Sequence, residues 1–150
     1  MRPEPPLPRT TGYWVAMSRE NVELVRRVYE LWNRGDLYAA VETLDEHVVW
    51  NAYVHLPDSR PRHGAHEVQQ WAGEFAEAWG EIQVQIESLE EVGDDLVLAL
   101  VRMTGRGRGS GAAVESGVDG HVWTVRERKV AAVRMYQGTE DALEAVGLRE

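Results

Sequence analysis

The chain contains no cysteine among its 150 residues. This absence excludes disulfide bonds, thiolate metal ligands and cysteine nucleophiles, and it leaves the redox compartment undetermined. Lys129 is the only lysine among 16 lysine and arginine residues, so a Schiff-base mechanism would depend on one residue at a predicted turn. No apolar run approaches the roughly 20 residues that a membrane-spanning helix needs. The composition therefore excludes thiol chemistry and disfavours lysine chemistry.

Positive charge is also scarce, because the formal net charge is −9 at pH 7. Nucleic acids and anionic membranes are bound through clustered positive charge, so we expect neither as a partner. Hydrophobic residues make up 43% and charged residues 27%, which is typical of a globular protein, and the length suits one domain. A secretory signal would need an apolar stretch that the first residues lack, so we predict a cytoplasmic location.

Proline is concentrated in the first segment, MRPEPPLPRTTGYWVAM. Proline at that density supports neither helix nor strand, so we expect residues 1–17 to be a disordered or loosely docked extension. Ser18 is a suitable N-cap, and Glu20 places a negative charge in the first turn of the helix that would follow. We therefore predict that the folded domain covers residues 18–150.

The first half of the domain reads as helical. Apolar residues recur at helical spacing from Val22 to Trp32, after which Gly35 ends the first helix and Asp36 caps a second. A strand over 48–54 and a third helix over about 65–79 complete this half.

The second half reads as strands, because apolar and polar residues alternate along it. The predicted strands cover 82–87, 96–104, 121–125 and 130–136, with an edge or bulged strand over 112–120, and a short helix over 141–146 follows. Helices followed by strands indicate an α+β fold. We expect a strongly curved antiparallel sheet with the helices on its concave side.

The segment from His121 to Tyr136 gives the strongest indication of where a functional pocket would lie. Strand side chains repeat every two residues, so His121, Trp123 and Val125 share one face. A histidine beside a tryptophan is suited to the floor of a pocket. The alternative is that His121 is an ordinary polar residue at a sheet edge.

Four segments together resemble a known family. They are LWNRGD at 31–36, LDEHVVW at 44–50, the Gly64-containing loop before the third helix, and the final hairpin with Lys129 at its turn. In this order, over about residues 18–147, the chain resembles SnoaL-like members of the nuclear transport factor 2-like superfamily. The resemblance implies a cone-shaped α+β barrel with one deep, mostly apolar pocket and often a homodimer packed through the sheet.

The resemblance also suggests roles for particular positions. Polyketide cyclases of the family carry a catalytic aspartate at the position of His121, where an imidazole with its ordinary pKa of about 6.5 would suit proton transfer. Steroid isomerases of this fold use a tyrosine and a base aspartate. An alignment on residues 33–36 places Val28, next to Tyr29, at the tyrosine, and Ala52 at the base. We therefore exclude a steroid isomerase unless that alignment is wrong by one residue.

We predict His121 as a catalytic acid or base. The predicted substrate-binding residues are aromatic or polar side chains expected to face the pocket: Tyr29, Trp50, Tyr53, His55, Trp71, Arg102 and Trp123. For the aromatic residues, core packing is the alternative. Arg102 and Asp119 could belong to the Asp-Arg-Asp set of an epoxide hydrolase, but no third member is evident.

Other motifs give little evidence of function. His63 and His66 form H-x-x-H, which is not the helical i, i+4 pair of a zinc protease, and we expect neither a metal nor a cofactor. The glycine run at 105–111 lacks the G-K-[ST] ending of a P-loop. We predict a protein that binds a small apolar or aromatic ligand, with acid/base chemistry of a cyclase, isomerase or dehydratase. The alternative is a non-catalytic ligand-binding or dimerisation module, and the sequence does not decide whether the protein is an enzyme.

Overall fold

Six strands form one curved, unclosed sheet in the computed structural model, which describes residues 7–54 and 59–148 and gives only the backbone at 7–18, 37 and 38. In chain order the elements are α1 (Leu7–Asn33), α2 (Leu37–Glu42), β1 (Leu44–Asn51), β2 (Arg62–His63), α3 (Gly64–Ala78), β3 (Trp79–Val92), β4 (Leu96–Gly107), β5 (Ala113–Arg126), β6 (Lys129–Tyr136) and α4 (Glu140–Ala145). The strand order is β2-β1-β6-β5-β4-β3. Only β1 and β6 pair in parallel among these strands, so the predicted α+β class is confirmed.

The two faces of the sheet carry separate apolar clusters. On the concave face, residues from β1 and β3 to β6 pack against α1 and α3, and Val25, Val48, Val101 and Val133 are among the fully buried members. On the outer face a smaller cluster gathers around Ala142 of α4. A sheet that is apolar on both faces needs cover on both, and the helices provide it. Within the described parts of the chain, no helix is both long and apolar enough to cross a membrane.

Asn33, the last residue of α1, holds this helix to the edge of the sheet. The Val84 N–H donates to Asn33 Oδ1 at 2.7 Å, and Asn33 Nδ2 donates to the Val84 carbonyl at 2.9 Å. Gln83 Nε2 also donates to the Asn33 carbonyl at 3.1 Å. Because β3 is an edge strand, the outward groups of Val84 lack a strand partner on that side, and the Asn33 amide takes its place. The end of α1 therefore has a defined position over the sheet.

The predicted connection between the first two helices is confirmed. Gly35 has φ +76°, the left-handed conformation expected of a residue that ends a helix. Asp36 Oδ1 accepts a hydrogen bond from the Ala39 N–H at 3.1 Å, which is the capping contact that its position predicted.

The start of α1 differs from the prediction. The helix begins at Leu7, so residues 7–17 have helical backbone instead of preceding a helix that starts at Ser18. Pro8 falls in the first turn, where proline is tolerated because the backbone N–H there has no helical partner. Residues 1–6 lie outside the described residues.

The segment 112–120 was predicted as an edge or bulged strand, and its pairing agrees with an edge: residues 113–119 pair with β4 alone, and β6 joins only from Gly120. The segment belongs to β5, which runs unbroken to Arg126 and pairs with β4 on one side and β6 on the other. The pairing does shift register between Arg102 and Thr104, which agrees with a bulge. The second part of β5, from Gly120 onward, lies between two strands, and most of its residues are buried.

We predict that Asn33→Leu lowers the free energy of unfolding by about 2 kcal/mol, because two partly buried backbone groups of Val84 lose their partner. Urea unfolding would measure the loss. Asn33→Asp keeps an acceptor for the Val84 N–H and should lose less. Asn21, on the same helix, makes only an exposed 3.3 Å contact, so Asn21→Leu should change stability by no more than about 0.5 kcal/mol. Equal losses at both positions would contradict the role of Asn33.

Candidate functional site

Three polar aromatic side chains meet inside the concave cluster. Alternation along β5 places His121 and Trp123 on the same face, and α1 brings Tyr29 over them. The Tyr29 hydroxyl lies 2.7 Å from His121 Nδ1, and Trp123 Nε1 donates to the same hydroxyl at 2.9 Å. Tyr29 and His121 are each 1% exposed and Trp123 is fully buried. We call these three residues the buried triad.

The donors and acceptors of the buried triad determine the tautomer of His121. Trp123 can only donate, so the Tyr29 oxygen accepts from Trp123, and its own proton is available for His121 Nδ1. The proton of the neutral ring then lies on Nε2, which has no hydrogen-bond partner among the described residues. The opposite tautomer would leave two groups unsatisfied, the Tyr29 O–H and the Nε2 lone pair. His121 therefore presents one buried, unpaired N–H donor.

Burial sets the charge of this group. Removal from water lowers the pKa of His121 to about 3, because burial disfavours the imidazolium form. Burial also raises the pKa of Tyr29, and the Trp123 hydrogen bond opposes this shift only in part. We expected an imidazole with its ordinary pKa near 6.5. In the structure His121 is neutral at physiological pH and its Nδ1 is occupied, so the group is arranged to donate a hydrogen bond and poorly arranged to accept a proton.

A cavity of about 530 Å³ opens between α3 and the strands β3 to β5. Its walls are mostly apolar and include Phe75, Trp79, Ile82 and Met103. Asp119 lies at this cavity, is 1% exposed, and accepts a hydrogen bond from the Gly138 N–H at 2.8 Å. A buried carboxylate on an apolar wall is a typical feature of small-molecule sites.

Tyr53 also lines the cavity. Its hydroxyl donates to Met103 Sδ at 3.9 Å. Burial raises the pKa of Tyr53 to about 12, and the nearby charge of Asp119 adds to the shift. Neither His121 nor Tyr29 is among the described residues that line this cavity. The cavity and the buried triad are therefore adjacent but separate.

Trp50 and Trp71 belong to a second aromatic group. Their ring centroids lie 5.4 Å apart, and Trp71 stacks on Phe75 at 5.2 Å. Trp32 completes the group, and the small apolar cavity beside these rings has a volume of only about 30 Å³. So small a cavity indicates that these aromatic rings are closely packed. Trp50 Nε1 is buried without a partner among the described residues.

The predicted site residues therefore fall into three neighbouring places, and Trp50 contacts Trp123 with ring centroids 5.8 Å apart. His121, Tyr29 and Trp123 are brought together, while Tyr53 lies at the cavity and Trp50 and Trp71 lie in the aromatic group. The prediction for His55 lies outside the described residues.

Arg102 does not lie with these residues. It pairs with Val118, whereas its neighbour Val101 pairs with Asp119, so Arg102 points to the outer face of the sheet. There Arg102 Nε binds Glu87 Oε2 at 3.1 Å. The prediction that it binds substrate is not supported by this position, because alternate residues of a strand face opposite sides.

Two features of the site differ from the sequence alignment. Tyr29, not Val28, contacts His121, so the alignment on residues 33–36 was one residue away from the observed contact. Asp119 lies on the same strand face as His121, two residues before it, a relation that strand alternation could have revealed. Ala52 still supplies no carboxylate at the position of the isomerase base.

Comparison with known proteins agrees with this architecture. The family model described as a SnoaL-like domain matches residues 25–133, which is more than half of the chain. The chain belongs to the SnoaL-like domain family. Among curated proteins, none matches its sequence.

Solved structures of SnoaL-like and related proteins share the fold. A protein described as a SnoaL-like polyketide cyclase from Jannaschia sp. CCS1 is 18% identical, with a TM-score of 0.71 and coverage of 100% of both chains. A nuclear transport factor 2-like protein of unknown function from Burkholderia pseudomallei K96243 is 19% identical, with a TM-score of 0.70 over 85% of this chain and 98% of the other. TerC, crystallised with polyporic acid, is 15% identical, with a TM-score of 0.69 over 85% and 97%. At these identities the similarity establishes the fold alone.

We predict that burial of His121 makes stability depend on pH in this SnoaL-like domain. Between pH 6.5 and about 3 the unfolded histidine holds a proton that the folded one does not. Unfolding free energy should therefore fall on acidification by about 1.4 kcal/mol per pH unit from this residue alone. Urea unfolding from pH 4 to 8 would measure the slope. His121→Phe removes the titrating group and should give a shallower slope. Parallel slopes would mean that His121 is not buried in its neutral form.

We also predict that Tyr29→Phe costs about 2–3 kcal/mol of unfolding free energy, because the Trp123 N–H loses its acceptor and His121 Nδ1 its donor. The ¹⁵N chemical shifts of His121 should lose the pattern of a single fixed tautomer. A matched control is Tyr136→Phe, since Tyr136 lies in the outer cluster. If both variants leave the His121 signals unchanged, the tautomer assignment is wrong.

Proposed function

We propose that this protein is an enzyme that moves a proton next to a carbonyl group in a small, largely apolar metabolite, as cyclases, isomerases and dehydratases do. The observation that supports it is the unpaired Nε2–H of His121, fixed by the buried triad two residues from the carboxylate of Asp119. A buried donor without a partner is costly to a protein, so its presence favours a functional role.

In this proposal His121 is a hydrogen-bond donor to the substrate. The neutral Nε2–H donates to the carbonyl oxygen and stabilises the negative charge that develops there. The triad holds the ring in one orientation, so no reorganisation is needed as charge develops. Donors of this kind typically contribute about 2.7–4 kcal/mol to the stabilisation of a transition state.

Asp119 is the proton acceptor in this proposal. Two residues along a strand separate the Cα atoms of Asp119 and His121 by about 6.6 Å, on one face. A substrate between them can place a C–H bond at the carboxylate and the adjacent carbonyl oxygen at His121. The carboxylate takes the proton and the C–H electrons form an enolate, whose negative oxygen accepts the hydrogen bond from Nε2–H. The enolate is then reprotonated at another carbon by Asp119, or its carbon attacks a second carbonyl in a ring closure.

The lining of the cavity limits the ligand. Phe75, Trp79, Ile82 and Met103 favour flat or aromatic apolar groups. TerC, a structural neighbour, was crystallised with polyporic acid, which is compatible with a small organic ligand in this fold. A homodimer and a cytoplasmic location, which the sequence suggested, belong to the proposal and have no independent support.

The second candidate function is a non-catalytic ligand-binding module. The observation that favours it is the closure of the interior, because His121 is 1% exposed and the cavity ends at Asp119 and Tyr53. In that case a ligand would occupy the cavity without contacting the triad.

The first experiment is thermal unfolding of the wild type with a panel of polycyclic ketones, steroids, terpenes and polyketide-like aromatics. A ligand at 100 times its dissociation constant adds about 2.7 kcal/mol, which raises Tm by roughly 5–10 °C in a domain of this size. We expect ketones and phenols to raise Tm, and His121→Phe to reduce that increase because the N–H donor is gone. Arg102→Ala, on the outer face, is the matched control and should respond as the wild type does.

Turnover separates the two candidate functions. For any ligand found, exchange of its carbonyl-adjacent protons with D₂O reports proton removal directly. We expect exchange in the wild type and in Arg102→Ala, a loss of at least 100-fold in Asp119→Asn, and a smaller loss in His121→Phe. These losses follow from removing the base and one donor, respectively. Binding without exchange would favour the non-catalytic module.

A further inference from the structure

The side chain of Tyr53 contacts both the cavity and the core cluster that holds Tyr29 and Trp123. Asp119 and His121 share a face of β5, yet Asp119 lines the cavity and His121 has no place among the described lining residues. Tyr53 lines the cavity and also packs against the core cluster that contains Tyr29 and Trp123. Because Tyr53 contacts both the cavity and the core cluster, its side chain lies where the cavity would join the space around the buried triad.

Electrostatic interactions link Tyr53 to one group at the cavity and one group of the triad. The charge of Asp119 raises the pKa of Tyr53, and Tyr53 in turn contributes to the raised pKa of Tyr29. Tyr53 is therefore near both the carboxylate at the cavity and the hydroxyl that holds His121.

The contact that holds the Tyr53 ring is weak. Its hydroxyl donates to the thioether of Met103 at 3.9 Å, and a thioether is a poor acceptor. The backbone at Tyr53 has φ +54°, a left-handed conformation that is uncommon for a residue other than glycine. The next residue is fixed, because the Val54 N–H donates to the Met135 carbonyl at 3.1 Å. Rotation of the side chain is therefore easier than movement of the strand end.

We propose that Tyr53 and Met103 form a removable partition between the cavity and His121, and that a ligand reaches the His121 Nε2–H by displacing the Tyr53 ring. This inference rests on the proposed function, in which His121 contacts the ligand. It makes Tyr53 the residue that determines specificity. Ligands too short to displace the ring occupy the cavity alone, whereas longer ones carry an acceptor oxygen to His121.

The partition can be tested without a ligand. The Nε2–H proton of His121 is protected from water only if the partition is closed, so its exchange rate in ¹⁵N-histidine-labelled protein reports the barrier directly. The polar side chains around His121 are Tyr29, Trp123 and, two residues before it on the same strand face, Asp119. None of them is changed in the Met103 variant described next.

We expect slow exchange of this proton in the wild type and in Tyr53→Phe, which keeps the ring. Tyr53→Ala and Met103→Ala should each speed exchange at least about tenfold, because each removes one half of the partition. Met103→Ala keeps the test decisive if Tyr53→Ala does not fold. Wild-type protection in Met103→Ala and in folded Tyr53→Ala would overturn the proposal, as would fast exchange in the wild type.

These outcomes are independent of those for the proposed function. If Asp119→Asn abolishes proton exchange of a ligand while Tyr53→Ala leaves His121 protected, the enzyme assignment stands and the partition is wrong. If Tyr53→Ala exposes His121 but no ligand is turned over, the partition stands and the enzyme assignment fails.

Discussion

The hydrogen bond between Tyr29 and His121 is the contact on which the interior of this protein depends. It joins α1 to β5 across 92 positions of sequence, inside an otherwise apolar cluster. An imidazole and a phenol can be buried there because each satisfies the other and Trp123 satisfies the phenol oxygen. Burial then keeps His121 neutral, because removal from water disfavours the imidazolium form. Position, tautomer and charge of His121 thus follow from one contact.

That contact in turn requires α1 to lie at a fixed height over the sheet. Asn33 lies one helical turn beyond Tyr29 and determines this height. Its side-chain amide makes two hydrogen bonds with the backbone of Val84, as an additional strand would. Gly35 and Asp36 then end α1 and start α2, so the chain turns away before the helix can extend further. The residues that the sequence marks as a helix end are also the residues that position the Tyr29 side chain.

The sequence predicted those features that depend on local periodicity. Helical spacing identified α3, and alternation along β5 placed His121 and Trp123 on one face. The partner of His121 could not be deduced in the same way, because neighbouring residues on a helix point about 100° apart and the periodicity of α1 does not decide which of Val28 and Tyr29 lies over His121. Arg102 is a different case. Arg102 follows Val101 directly in the most apolar strand. Because alternate residues of a strand face opposite sides, Arg102 lies on the face opposite to Val101 and Asp119, away from the cavity.

The sequence predicted His121 as a catalytic acid or base. The low pKa of His121 favours its role as a hydrogen-bond donor over a role as base. A base must accept a proton near neutral pH, and a group with a pKa of about 3 does so poorly, whereas a neutral N–H in a dry environment is a strong and permanent donor. Asp119, the base in the proposed function, lines the cavity on the same strand face as His121. In the proposed function, proton acceptance and stabilisation of negative charge therefore fall on two residues in different surroundings. Asp119 lies at the cavity and His121 lies in the buried triad, and the alternation of side chains along β5 keeps both on the same side of the sheet.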